Sequence, residues 1–117
     1  MALESDVMAV LLACCPRVHV GTAPESTTKP YVTWQHTGGE SLRYVDNTAA
    51  AERKPDIQVN TWGATPMQAF TLSLQIEEAL CAAPAFVAKP YGEPIGAYDD
   101  ADVASGYLQT FTILGAR

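Results

Sequence analysis

Three cysteines and two histidines are the side chains in this 117-residue sequence that suit nucleophilic chemistry. A thiol becomes an effective nucleophile when a base stands within hydrogen-bond reach. The pairs to consider are therefore Cys14, Cys15 or Cys81 with His19 or His36. Both histidines fall in strand-like segments, where each reads as a structural or surface residue. The thiols read as small hydrophobes kept reduced in a cytosol, Cys81 in a buried helical position. No Cys-x-x-Cys or His-x-x-x-His spacing occurs, so no metal site is expected. Asp99, Asp100 and Asp102 suggest a cation loop, but the run lacks the glycine and distal glutamate that calcium requires. It reads as an acidic hairpin turn. Gly38-Gly39 is not followed by Gly-Lys-Ser/Thr, so no phosphate cradle is expected. What remains is interaction: no enzyme activity and no cofactor, with a small cytosolic cysteine-thiol enzyme as the competing class.

The totals agree. A formal charge of −6 and only seven basic residues disfavour a surface that holds nucleic acid. Residues 7–15 make too short an apolar run to span a membrane, and Glu4 and Asp6 carry the wrong charge for a signal peptide. The expectation is a soluble protein made in a cytoplasm, without a membrane partner.

The elements that must position any site centre on residues 54–83. Ile57, Val59 and Thr61 alternate with Gln58, Asn60 and Trp62, the period of a two-faced strand. Thr65-Pro66-Met67-Gln68 then reads as a capping box with proline at the first helical position. Leu72, Ile76, Ala79, Leu80 and Ala83 share one helical face, widened by Phe70, Leu74 and Cys81, and Pro84 ends the helix.

Upstream, Ser5 or Asp6 caps a first helix running to about Cys15, where Pro16 stops it. Residues 17–20 form a short strand, and 30–36 a β-branched and aromatic one. Downstream, 90–94 is irregular, and the last two strands cover 95–98 and 106–114. The last strand carries apolar residues on both faces, as if covered twice or meeting a partner chain. The expected fold is α+β: one domain over residues 1–117, a mostly antiparallel sheet of about four main strands (31–36, 54–62, 95–98 and 106–114), and two helices packed on it.

Pro30-Tyr31-Val32-Thr33-Trp34-Gln35, then Gly38-Gly39-Glu40, then Ile57-Gln58-Val59-Asn60-Thr61-Trp62, then Ala69 through Glu77-Glu78-Ala79-Leu80, resemble the tail-completion family of siphophages and prophages. The order and spacing of these segments carry the likeness. That family comprises tail terminator or tail-to-head joining proteins related in fold to the lambda tail terminator. The resemblance implies a homohexameric ring at the head-proximal end of the tail, assembled in the bacterial host cytoplasm. Its partners would be the major tail tube protein and a neck or connector protein, with DNA only as passing cargo. The family brings no catalytic residues. A neck adaptor between portal and tail is the alternative within assembly proteins.

Two stretches are candidate contact regions. Residues 38–53 form a long connection with little core character, and such connections are usually either functional or simply mobile surface loops. Its backbone is set by Gly38 and Gly39, its large apolar residues are Leu42, Tyr44 and Val45, and its charges are Glu40, Arg43, Asp46, Glu52 and Arg53. Both signs are therefore available for pairing between subunits. Asp99, Asp100 and Asp102 are candidates for the lining of a DNA passage, where acids repel phosphates.

Overall fold

The computed structural model describes residues 2–21, 28–99 and 104–116. In chain order these form α1 (Ala2–Cys14), β1 (Val18–Val20), β2 (Tyr31–Glu40), β3 (Glu52–Gly63), α2 (Pro66–Ala82), β4 (Val87–Pro90), β5 (Ile95–Asp99) and β6 (Ala104–Ala116). The six strands make one sheet in the order β1-β2-β3-β6-β4, with β5 also paired to β6. Only β1 and β2 run parallel; the other pairings are antiparallel. The class is α+β, as the sequence implies.

β3 shows why. Pro55, Ile57, Val59 and Thr61 are buried on one face while Asp56, Gln58, Asn60 and Trp62 stay half-exposed on the other. In register beside them, Phe111 and Ile113 of β6 and Val32 and Trp34 of β2 complete an apolar layer. Leu3, Val7 and Leu11 of α1 and Leu72, Ile76 and Leu80 of α2 close over that layer. The other face carries polar pairs. Gln35 donates to Gln58 at 2.9 Å, and the Thr112 hydroxyl donates to Asp56 Oδ1 at 3.0 Å. On that face the Trp62 ring lies over Gly106, so close that a Cβ there would meet it at 2.6 Å.

The α2 cap forms as expected on one side: Thr65 Oγ1 accepts from the Gln68 N–H at 3.2 Å. The return bond differs. Gln68 Oε1 accepts from the Ala64 N–H at 2.8 Å, one residue earlier than a capping box predicts. Two residues assigned to the buried face of α2 are exposed, Leu74 and Cys81. At 100° per residue they sit roughly 140–160° around the helix from the Leu72, Ile76 and Leu80 stripe. α1 likewise starts at Ala2 and not after a cap at Ser5 or Asp6, because the fully buried Leu3 belongs to the same stripe as Val7 and Leu11.

The sheet is also wider than about four strands. β4 pairs with 111–114 and β5 with 104–108, end to end along β6. The segment read as irregular shrinks to 91–94, and even there the Tyr91 N–H donates to the Thr110 carbonyl at 2.8 Å. β2 runs on through Gly38-Gly39 to Glu40, with a register shift between His36 and Gly38. Gly39 makes this possible. Its φ is +116°, and a Cβ would stand 2.5 Å from the Lys54 carbonyl and 2.6 Å from the Asp56 nitrogen. Gly39→Ala is expected to cost roughly 1–3 kcal/mol. An unchanged urea midpoint would show that the bulge relaxes.

Candidate functional site

The connection between β2 and β3 spans 41–51 and is a built extension of the hairpin. The Tyr44 N–H donates to the Thr48 carbonyl at 3.0 Å, and the Asn47 N–H to the Tyr44 carbonyl at 2.8 Å. Arg43 and Ala49 form an isolated antiparallel bridge. Asp46 and Asn47 are the turn formers. Asn47 takes φ 67°, a left-handed conformation that asparagine tolerates. Asp46 Oδ1 accepts from the Thr48 hydroxyl at 2.7 Å and from the Thr48 N–H at 3.1 Å. Those bonds, side chain first, hold its carboxyl below the usual range. Tyr44 and Val45 are exposed at the tip.

The base of this arm is tied to α1. Arg53 Nη1 donates to Glu4 at 2.7 and 2.6 Å, and His36 Nε2 lies 3.1 Å from the same carboxylate. Glu40 pairs with Lys54 at 3.6 Å on the surface, an interaction worth about 0–1 kcal/mol. A shallow hollow of about 310 Å³ lies between Gly38, Gly39, Leu42 and Pro55. The candidate contact residues therefore gather at one end of the molecule, the far end of the β2–β3 hairpin. Their charges are not equally free. Glu40 and Arg53 have partners within the chain, whereas Arg43 and Glu52 have no ion pair among the described residues.

Burial pushes the Glu4 carboxyl up, but the hydrogen bonds from Arg53 and His36, a backbone hydrogen bond and the Arg53 charge outweigh it. Its pKa lies below the ordinary value. A carboxyl lowered on folding stabilises the fold above its unfolded pKa, and the contribution is lost as pH falls through the folded one. Arg53→Met is thus expected to cost roughly 1–3 kcal/mol near neutral pH. The gap from wild type should close below about pH 4. Urea unfolding near pH 7 and near pH 3 reads both, and equal gaps would contradict the assignment.

The thiols and imidazoles are not brought together. Among the described residues no hydrogen bond joins a histidine to a cysteine. The buried Cys15 thiol donates to the Pro30 carbonyl at 3.5 Å. Burial, and then the neighbouring Cys15, push the Cys14 thiol up; burial, then Glu77 and Glu78, do the same at Cys81. Raised thiols are the opposite of activated nucleophiles. No group of His, Cys, Asp and Glu suited to a metal occurs among the described residues. Asp99 ends β5, while Asp100 and Asp102 lie outside the described residues.

Sequence reasoning missed a groove of about 510 Å³ between α1 and the outer border of β2, lined by Met8, Leu12, Val20, Trp34 and His36. Its floor is Trp34, whose buried indole N–H has no acceptor among the described residues. The signal was available: Met8 and Leu12, four residues apart, form a second apolar stripe beside the main one.

A single α+β domain with a projecting arm, an apolar groove and no assembled catalytic pair among the described residues has the make-up of an assembly subunit. The family model for Tail completion protein gp17 matches residues 2–105, and the chain belongs to this family of phage tail completion proteins. It is thus a tail component with a role in completing the phage tail. No curated protein matches the chain.

Proposed function

We propose that the chain is a tail terminator: a homohexameric ring on the head-proximal end of the tail tube that stops tube growth and offers the neck its docking surface. The observation that carries this is the arm. Residues 41–51 bury little, yet their hydrogen bonds and the Glu4–Arg53 pair hold them in one shape with Tyr44 and Val45 bare at the tip. A loop kept ordered without contributing to the core suits a contact with another subunit. The role is structural, without catalysis or cofactor, and the partners are further copies, the major tail tube protein and a head-proximal neck protein. Native mass spectrometry tests the ring. A mass near six times the 12.5 kDa of one chain is expected, and a monomer at every concentration contradicts it.

In such a ring DNA passes through the lumen. The acidic run at Asp99, Asp100 and Asp102 is proposed to face it, since acids there repel phosphates and reduce drag. Screening confines the effect to roughly 8 Å at physiological salt. Replacing all three by lysine should then leave tails intact and slow DNA ejection. Intact tails with unchanged ejection would place these aspartates away from the passage.

A further inference from the structure

We propose that consecutive copies join head to tail through opposite borders of the sheet, with the β4–β5 border of one copy seated in the α1–β2 groove of the next. This rests on the ring reading above and names a second contact that the ring needs beside the arm.

The strand order sets β1 and β2 at one border and β4 and β5 at the other. β1 covers only Val32, Thr33 and Trp34 of β2, so β2 beyond Trp34 has no neighbouring strand on that side among the described residues. The groove opens there, with Val20 60% and Leu12 45% exposed on its rim. At the opposite border Val87, Tyr91 and Ile95 are 66%, 79% and 61% exposed. Five of the nine large exposed apolar side chains among the described residues therefore lie on the two borders. Apolar surface gathered this way marks an interaction site.

A second copy is the occupant that satisfies both borders. A two-fold contact uses the same patch twice and leaves the other border bare, whereas a heterologous contact repeated around a ring covers each border once per subunit. Lys89, exposed on β4, has no ion pair among the described residues. Contact through side chains is favoured over strand pairing. The Tyr91 N–H points inward to Thr110, so the alternate residue Pro90 faces outward, with no N–H to offer.

The test uses two full-length variants, Leu12→Glu in the groove and Tyr91→Glu on the opposite border, read by native mass spectrometry. Each keeps one good border. Alone, each is expected to lose the hexamer and remain a monomer. Mixed, they should pair through their intact borders and stop at a dimer, because the two altered borders carry like charges. Wild-type rings that persist in either variant would overturn this contact and leave the ring reading standing. A mixture that stays monomeric, with circular dichroism and melting of both variants matching wild type, would also overturn it. A wild-type chain that is itself a monomer would remove the ring reading and this contact together. If a glutamate variant fails to fold, Val20→Ser and Val87→Ser take its place, with a loss of hexamer expected in each and an unchanged hexamer overturning the contact.

Discussion

A chain lacking residues 42–51 is expected to fold, with a melting temperature lowered by roughly 5–15 °C, and to have lost the ring. The arm adds little to the core: apart from half-buried Leu42 and Ala50, its residues are exposed, and its hydrogen bonds are largely internal. Its removal leaves Ser41, Glu52 and Arg53 between the paired residues Glu40 and Lys54. Three residues are a common length for a hairpin loop, so β2 and β3 can still pair. The expected cost is the local pairing of Glu52 and Arg53 with β6 and the Arg53 bond to Glu4. What disappears is the surface formed by Arg43, Tyr44 and Val45. Analytical ultracentrifugation distinguishes the outcomes: monomers with a native circular dichroism spectrum support the arm as a contact, whereas rings at wild-type yield place the contact elsewhere.

Phe111→Ala should be the most damaging single truncation. Phe111 is 1% exposed, sits opposite Ile57 on one side and Pro90 on the other, and is the largest of the fully buried side chains among the described residues. Truncating a buried phenylalanine typically costs about 3–5 kcal/mol, from lost transfer energy and the cavity left behind. In a domain of this size that lowers the melting temperature by roughly 10–30 °C. The whole stability of such a domain is only about 5–15 kcal/mol, so the variant would be partly unfolded at the temperature of a growing host. A drop of a few degrees would mean that the core repacks around the gap, and that the sheet and helices are coupled more loosely than their contacts indicate.

Sequence reasoning worked where one pattern decided the structure alone. The alternation from Ile57 to Trp62 and the Thr65, Pro66, Gln68 cap placed β3 and the start of α2 because each is a local rule with a local cause. It failed where tertiary contacts overrode a local signal. Pro90 and Pro94 conceal an edge that is paired over most of its length, since proline weakens a strand reading but is tolerated at a sheet border. Gly38-Gly39 reads as either an end or a bulge, and the bulge is what forms: β2 continues because Gly39 fits against the β3 backbone where no side chain could. Leu74 and Cys81 were assigned inward on hydrophobicity, although their angular position faces them outward. At the candidate site, the arm was visible as a long stretch without core pattern. The Glu4–Arg53 pair was not, because its partners lie 49 residues apart. The groove was hidden because α1 carries two apolar stripes and only one is needed to fill the core.

Electron microscopy of particles made by the parent phage or prophage without this chain gives the most direct measurement of its role. If the chain caps the tube, the lysate contains filled heads and separate tail tubes of uneven length, and purified chain added back restores joined particles with tails of uniform length. Joined particles with uniform tails in the absence of the chain would contradict the account.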